Sequence, residues 1–207
     1  MKKIGFYPRV GKRLLDLMLT GTLLFVLLPL FILLAGLVRL RLGSPVLFKQ
    51  KRPGLNGLTF ILVKLRTMRP PEEGKRATEF DNERITSFGT FLRRSSLDEI
   101  PELYNVIKGN MSLVGPRPLL MEYLKRYSPA QARIHEVKPG ITGWAQINGR
   151  NSLNWKQKFD YDVWYVDNLT LWLDLKILFF TLVKTIRQEG ISQEGFVSAE
   201  EFMGNDS

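Results

Sequence analysis

The sequence predicts an α+β protein, mostly helical with one small β-hairpin, that enters a membrane from one side as a monotopic protein. Three observations predict this class: a long apolar run near the N-terminus, an Asn-Gly pair between two apolar segments, and apolar patterns of helical spacing in the second half. We expect two parts that form one continuous functional unit. Residues 1–42 would be a membrane-inserted re-entrant helix, and residues 43–207 a domain docked on the membrane face.

The apolar run contains one proline. Residues 14–38 read LLDLMLTGTLLFVLLPLFILLAGLV, and about 22 of them would reach roughly 33 Å as a helix, enough to cross the hydrocarbon layer. Basic residues flank the run on both sides, and the positive-inside rule keeps such residues in the cytoplasm. Pro29 lacks an N–H donor and its ring clashes with the preceding turn, so we predict a re-entrant helix broken at Pro29. A kinked helix that spans the membrane is the alternative.

The positive charge of the chain is concentrated around this run. The net charge is +10, and residues 1–69 carry 13 Lys or Arg against one acid, Asp16. That placement favours an anionic membrane surface over a nucleic-acid groove, so we expect membrane lipid and no nucleic acid among the partners. The chain has no cysteine and one histidine, His135, which excludes thiolate chemistry and argues against a multi-histidine metal site. Carboxylates would have to hold any metal, and they favour a hard cation such as Mg²⁺.

Turn and cap signals divide the rest of the chain into short elements. The Asn-Gly pair at 56–57 predicts a β-hairpin over Val46–Leu65. Gly109 can end a helix in a left-handed cap. Helical segments are predicted near Thr86–Arg94, from the Asp98 region to Lys108, and within residues 119–127, 129–137 and 152–168.

The last apolar segment, Leu169–Arg187, is predicted to lie in the membrane interface as an amphipathic helix. Asp174 and Lys176 interrupt it, which argues against a second membrane span. We expect Trp172, Phe179 and Phe180 to face lipid or the core. The aromatic residues at helical spacing within residues 152–168 indicate core packing or an interfacial belt.

Two adjacent acids, Asp98 and Glu99, follow two arginines in the stretch RRSSLDEIPELYN. One interpretation is structural: Ser96 caps a helix, and Glu99 completes a capping box three positions later. Pro101 opposes this interpretation because a proline in the second turn kinks a helix, so the firm helix would begin near Pro101 with both acids on its entry turn. The other interpretation is chemical and makes the two acids a reaction centre.

Four basic residues favour the chemical interpretation. Arg117 lies in the stiff turn Gly-Pro-Arg-Pro, where its planar fork could clamp a phosphate, and Arg150 lies in a glycine-rich loop, whose backbone N–H groups can bind anions. Lys64 ends the hairpin, and Arg93 stands five residues before Asp98. Carboxylates that hold Mg²⁺, with cations that neutralise phosphates, are the groups that phosphoryl transfer needs.

Together these stretches resemble the bacterial sugar transferase family, the monotopic polyprenol-phosphate phosphoglycosyl transferases. The matching motifs are KRLLDL with its apolar run, FKQKRPG, VKLRTM, RRSSLDEIPELYNVIKGNMSLVGPRPLL and KPGITGWAQINGRN. The resemblance covers nearly the whole chain, and the run from Leu97 to Leu120 is its most specific part. Small-form relatives carry Ser-Pro at the helix break, whereas this chain has Leu28-Pro29. Leucine cannot hydrogen-bond a carbonyl freed by the proline.

The resemblance implies a two-step transfer at the cytoplasmic face of the bacterial inner membrane, with residues 43–207 as the catalytic domain. Asp98 would attack the β-phosphate of a UDP-sugar, UMP would leave, and undecaprenyl phosphate would then take the phosphosugar from the carboxylate. Mg²⁺ would be the cofactor at Asp98 and Glu99. Phosphates would be bound, or the two acids braced, by Lys64, Arg93, Arg117 and Arg150. The product would start membrane glycoconjugate assembly, with downstream glycosyltransferases as further partners.

The sugar and two rival functions stay open at this point. The ending EGFVSAEEFMG resembles the subgroup that transfers N,N'-diacetylbacillosamine phosphate, which implies an N-acetylated amino sugar. A hexose-1-phosphate transferase of capsule or exopolysaccharide synthesis would carry the same motifs. A non-catalytic module that binds anionic lipid through its basic N-terminal third is the remaining alternative.

Overall fold

The computed structural model describes residues 6–70, 84–149, 152–187 and 201–204. Within them the chain is mostly helical with small sheets, as predicted. The helices are α1 (Lys12–Leu42), α2 (Ser87–Arg94), α3 (Glu102–Lys108), α4 (Pro129–Ala132), α5 (Trp144–Ile147), α6 (Trp155–Asn168) and α7 (Leu171–Arg187). The strands are β1 (Leu47–Pro53), β2 (Thr59–Leu65), β3 (Ser112–Val114) and β4 (Gly140–Thr142).

Helix α1 is long and apolar enough to cross a membrane, and among the described residues it is the one helix that is. Contrary to the prediction, the helix is not broken at Pro29 but continues through it. The middle of the helix is exposed, with Phe25 at 83% and Ile32 at 63% of full exposure. Both of its ends are buried instead. Side chains that pack against the rest of the protein come from the first turns (Lys12, Asp16, Thr20) and the last turns (Leu34, Val38, Leu42).

Polar contacts fasten both ends of α1 to the same body. Arg13 donates hydrogen bonds to the carbonyl oxygens of Val106 at 2.6 Å and Ile107 at 2.7 Å, in the last turn of α3. At the other end, Arg66, which follows β2, donates to the Leu42 carbonyl oxygen. Asn105 of α3 in turn holds β2 through two backbone hydrogen bonds, so the two anchor points belong to one packed unit.

A buried group of polar side chains joins the start of α1 to α6 and α7. Asp174 on α7 is fully buried and accepts from Lys12 Nζ at 2.6 Å, Tyr165 Oη at 2.7 Å and Tyr7 Oη at 2.5 Å. We call these four residues, Tyr7, Lys12, Tyr165 and Asp174, the anchor network. The sequence indicated Asp174 only as an interruption of an apolar run. In the structure both of its carboxylate oxygens accept hydrogen bonds.

The hairpin forms as predicted. Strands β1 and β2 pair antiparallel, with Leu47 opposite Leu65 and Pro53 opposite Thr59. Asn56 has φ 54° and Gly57 has φ 73°, the left-handed conformations that favour Asn-Gly in tight turns. The predicted helix cap is also confirmed, because Gly109 ends α3 with φ 83°. Thr86 caps the start of α2, where its Oγ1 accepts from Gly89 N.

A second, parallel sheet of β3 and β4 was not predicted. It pairs Ser112 with Gly140 and Val114 with Thr142. The backbones approach so closely that a Cβ added at Gly140 would lie 2.1 Å from Gly115 N. The glycines therefore permit contact between two loops that bring Arg117 and α5 to the same side of the acid pair.

Two aromatic residues of α6 are buried in the core, whereas aromatic residues of α7 are exposed at the surface. Phe159 and Tyr165 of α6 are buried, which agrees with core packing. On α7, Ile177 is buried, whereas Trp172 is 78% and Phe179 62% exposed. The helix therefore has one buried face and one exposed face that carries large apolar side chains, the arrangement expected of an interfacial helix.

Candidate active site

Asp98 and Glu99 lie on a single 3₁₀ turn, Leu97–Glu99, just before α3. Pro101 occupies the cap position of α3, so both acids stand on the entry turn as predicted. The predicted capping box is wrong. Ser96 has a left-handed φ of 56° and its side chain does not cap the turn, while the Glu99 carboxylate turns away towards two cations.

Three acids and two cations form the centre of the site. Lys64 Nζ lies 2.7 Å from Glu99 Oε1 and 2.9 Å from Glu102 Oε1, and Arg117 Nη2 lies 2.9 Å from Glu99 Oε1. We call these residues, together with Asp98, the acid cluster. The end of β2 supplies Lys64, the entry of α3 supplies the acids, and the loop after β3 supplies Arg117. Chain segments far apart in sequence thus meet at one point.

The environment separates the pKa values of the three acids. Burial, with the neighbouring charge of Glu99, raises the pKa of Asp98 to about 6. Burial also acts on Glu99, but the charges of Lys64 and Arg117 outweigh it and hold the pKa of Glu99 far below its usual range. Burial raises the pKa of Glu102 to about 7. Groups with separated pKa values at one site are a mark of acid–base or nucleophilic chemistry.

Asp98 differs from its neighbours in having no ionic partner. It is 7% exposed, and its carboxylate makes no hydrogen bond or ion pair with any residue that the structure describes. Cations still act on it from a distance, because Lys64, Arg117 and Arg93 all lower its pKa against the effect of burial. A buried carboxylate in this condition is available for a substrate or a metal.

The other predicted site residues divide into three cases. Arg93 lies near enough to act on the charge of Asp98, and its Nε donates to Thr67 Oγ1 at 2.9 Å. The Arg117 side chain is about half exposed beside the cluster. Arg150 lies outside the described residues. The prediction missed Glu102, although its spacing of three residues from Glu99 is the signal of a shared helical face.

The donor set at the cluster suits a magnesium ion only with help from a substrate. Mg²⁺ prefers oxygen ligands and is commonly held by one or two carboxylates together with substrate phosphates and water. No three acidic or histidine side chains among the described residues are placed to hold a metal by themselves. Asp98 offers a free carboxylate beside Glu99, so this pair fits an ion that arrives with a diphosphate.

A cavity of about 180 Å³ adjoins the acid cluster. Glu99 and Arg117 form part of its wall, α1 contributes Leu23 and Leu27, and α7 contributes Thr181 and Lys184. The cavity therefore has an apolar wall from the long exposed helix and a polar wall next to the acids. It lies between the two helices that expose the most apolar surface.

This fold and this site define a protein that has one helix long and apolar enough to cross a membrane and, beside it, buried carboxylates paired with cations. The chain belongs to the bacterial sugar transferase family, whose profile matches residues 7–188. That membership decides for an enzyme, a transferase, over the non-catalytic lipid-binding module. The resemblance noted in the sequence is thereby confirmed at the level of the family.

Relatives with known names cover most of the chain. It is 53% identical over 194 residues to the uncharacterised sugar transferase EpsL of Bacillus subtilis, covering 94% of this chain and 96% of that protein. It is 41% identical over 195 residues to UDP-glucose:undecaprenyl-phosphate glucose-1-phosphate transferase of Xanthomonas campestris, covering 88% of this chain and 40% of that protein. It is 37% identical over 199 residues to undecaprenyl-phosphate galactose phosphotransferase of Salmonella typhimurium, covering 88% and 42%. The chain thus spans about two fifths of the latter two proteins.

Proposed function

We propose that this protein transfers a sugar 1-phosphate from a UDP-sugar to undecaprenyl phosphate and releases UMP. The observation that carries the proposal is the buried carboxylate of Asp98, which pairs with none of the described residues, beside the ion-paired Glu99. Relatives at 41% and 37% identity are named for this type of transfer, with undecaprenyl phosphate as the lipid carrier. The product would begin the assembly of a membrane-bound glycoconjugate.

In the first step, a carboxylate oxygen of Asp98 attacks the β-phosphorus of the UDP-sugar. The bond from that phosphorus to the oxygen bridging the two phosphates breaks, UMP leaves with that oxygen, and the phosphosugar stays on Asp98. The attack brings an anion to a dianion, so it needs positive charge at the site. Arg117, Arg93 and the Arg150 of the glycine-rich loop are the proposed phosphate-binding residues.

In the second step, a phosphate oxygen of undecaprenyl phosphate attacks the same phosphorus and displaces the Asp98 carboxylate. Division into two steps lets a soluble donor and a membrane-embedded acceptor use one site in turn. Magnesium, held by Asp98 and Glu99 with the donor's phosphates, would neutralise charge on those phosphates. Lys64 keeps Glu99 ionised and oriented, since its Nζ lies 2.7 Å from Glu99 Oε1.

The placement of α1 supports re-entry at the cytoplasmic face. A straight helix of 31 residues would be about 46 Å long, more than the hydrocarbon layer needs. If it spanned, its two ends would lie on opposite sides of the membrane, yet Arg13 and Leu42 both contact the same packed domain. A bend of the continuous helix at Pro29 would resolve this conflict, with residues 1–42 inserted and residues 43–207 held at the surface. The exposed apolar face of α7 would then rest in the interface.

The topology can be tested by chemical labelling, because the chain has no natural cysteine. We expect Lys3→Cys and Asn205→Cys to react with a membrane-impermeant maleimide in inverted inner-membrane vesicles and not in intact spheroplasts. Leu58→Cys, at the exposed hairpin turn, is the matched control for a cytoplasmic position. Labelling of Lys3→Cys on the side opposite to Leu58→Cys would make α1 a span.

Two classes of sugar, a hexose and an N-acetylated amino sugar, are candidates on different grounds. The relatives named above carry glucose and galactose in their names, which supports a UDP-hexose donor. The ending of the sequence supports an N-acetylated amino sugar such as UDP-N,N'-diacetylbacillosamine. Release of UMP from UDP-glucose, UDP-galactose and UDP-N,N'-diacetylbacillosamine, compared at equal concentrations, separates the two candidates.

The reaction itself is tested with membrane fractions that contain Mg²⁺, undecaprenyl phosphate and a UDP-sugar. We expect UMP release by the wild type and a loss of at least ~1,000-fold in Asp98→Asn, because an amide cannot act as the nucleophile. Asp160→Asn, an exposed acid on α6, is the matched control and should keep full activity. Full activity in Asp98→Asn would remove the nucleophile from the mechanism, and no UMP release with any of the donors would remove the proposed reaction.

A further inference from the structure

The cavity beside the acid cluster contains polar groups that the proposed chemistry does not yet use. Gln146 of α5 lines it, and both amide atoms of Gln146 are buried without a hydrogen-bond partner among the described residues. Lys184 of α7 also lines it and makes no hydrogen bond or ion pair with a described residue. A buried amide without a partner costs free energy, so Gln146, with the half-buried cation Lys184 at the same cavity, indicates that a ligand completes the site.

We propose that this cavity binds the phosphate group of the lipid acceptor and that Gln146 and Lys184 hold that phosphate. The proposal rests on the proposed function and assigns the acceptor to one site. Arg117 adds a second positive charge to the same wall. Glu99 lies on that wall too, but its negative charge is balanced by Lys64 and Arg117, so the charge of Lys184 is left for a phosphate.

The opposite wall indicates that the ligand is a lipid. Leu23 and Leu27 of α1 line the cavity, and the neighbouring Phe25 and Val26 are 83% and 63% exposed on the same helix. An isoprenoid chain that leaves the cavity along α1 would therefore stay on apolar surface. A nucleotide would meet no matching polar surface on that side.

Size and position also favour the acceptor over the donor. A volume of about 180 Å³ is smaller than the roughly 300–1,000 Å³ of sites that enclose drug-sized ligands, so it suits a head group better than a whole UDP-sugar. Glu99 lines the cavity and Asp98 does not. An acceptor phosphate would thus lie next to the nucleophile without covering it, which leaves the donor its own approach to Asp98.

Gly143 fixes the place of the Gln146 side chain. A Cβ added at Gly143 would lie 2.8 Å from Gln146 Oε1 and 2.2 Å from the Gly115 carbonyl oxygen. The glycine therefore lets the amide lie against the backbone of the turn that precedes Arg117. The Gln146 amide and the Arg117 guanidinium thus belong to two chain segments whose backbones pack directly against each other.

The test compares two half-reactions and one binding equilibrium in purified full-length protein. For Gln146→Leu and Lys184→Gln we expect the KM for undecaprenyl phosphate to rise by about 10- to 100-fold, since the first loses a hydrogen bond to the phosphate and the second loses a positive charge beside it. The KM for the UDP-sugar and the burst of UMP released without acceptor should stay within about twofold. Lys176→Gln, on the same helix but over the Trp144 ring rather than in the cavity, should change neither KM.

Binding of farnesyl phosphate in detergent micelles provides a readout that needs no turnover. We expect binding to the wild type, about tenfold weaker binding to each variant, and no comparable binding of farnesol or inorganic phosphate. Unchanged acceptor KM in both variants, or a raised donor KM with the acceptor KM unchanged, would overturn the proposal. If the wild type released no UMP but kept this pattern of binding, the lipid-phosphate site would stand and the transferase reaction would fall.

Discussion

The molecule buries two clusters of charged side chains, and they differ in how fully their charges are matched. In the anchor network one acid, Asp174, meets one cation, Lys12, and two tyrosine hydroxyls, all within 2.5 to 2.7 Å of its carboxylate oxygens. In the acid cluster three acids share two cations, and Asp98 makes no direct pair with a described residue. Burial is similar, with Asp174 at 0% and Asp98 at 7% exposure.

The difference separates a structural role from a chemical one. A buried ion pair with every hydrogen bond made holds two elements in one position and leaves nothing for a ligand. A buried carboxylate without a partner lowers stability and raises its own pKa, and such a group persists where a substrate or metal uses it. Substitutions in the two clusters should therefore give opposite results for stability and activity.

The largest effect on stability is expected for Asp174→Ala. The substitution leaves Lys12 buried and unpaired, and breaking a buried pair in this way costs about 3–5 kcal/mol. For a chain of this size the thermal-unfolding midpoint should fall by roughly 10 °C in detergent or nanodiscs. Asp98→Ala is the comparison variant and should shift the midpoint by only a few degrees in either direction. Equal losses in both variants would mean that the two clusters do not differ in the way proposed.

The two clusters also show which features of the structure could be predicted from the sequence and which could not. The hairpin and the Gly109 cap were predicted because each depends on neighbouring residues with known backbone preferences. The acids at 98–99 and the cations at 64 and 117 were predicted to act together, and the structure brings both cations into contact with Glu99 and close to Asp98.

Contacts between distant parts of the chain were not predicted. Tyr7 and Asp174 are 167 residues apart, and no local periodicity connects them. Strands β3 and β4 contain three residues each, too few for an alternating pattern, and glycines rather than apolar residues make their pairing possible. The capping box failed for a related reason, since Lys64 and Arg117 offer Glu99 better partners than the backbone of its own turn does.

Replacing Lys64 tests the role of the unequal numbers of acids and cations in the acid cluster. In Lys64→Met, Glu99 keeps only Arg117, and Glu102 loses its cation. Because burial already raises the pKa of Glu102 to about 7, Glu102 can take up a proton and the fold should survive. The rate of UMP release should fall about 100-fold, since a preorganised charge at a phosphoryl-transfer site is worth about that much.

Lys108→Met provides the control for this substitution. Lys108 is exposed on α3, with its Nζ 5.6 Å from the centre of the Tyr104 ring, and the same change there should leave UMP release unaltered. A Lys64→Met enzyme with wild-type rates would show that the ion pairs of the acid cluster serve the fold alone, as those of the anchor network do.

The smallest expected effect is on the pH dependence, and it follows from the pKa of Asp98. Burial raises this pKa to about 6, and only the ionised carboxylate can attack. The kcat/KM for the UDP-sugar should therefore rise about tenfold per pH unit below pH 6 and level off above it, because that ratio reports groups of the free enzyme. Arg93 lowers the pKa of Asp98, so Arg93→Gln should move the inflection to higher pH. Lys108→Met should leave the inflection in place. An inflection near pH 4 would mean that the Asp98 carboxylate is solvated like a surface acid, and the contrast with Asp174 would then rest on ion pairing alone.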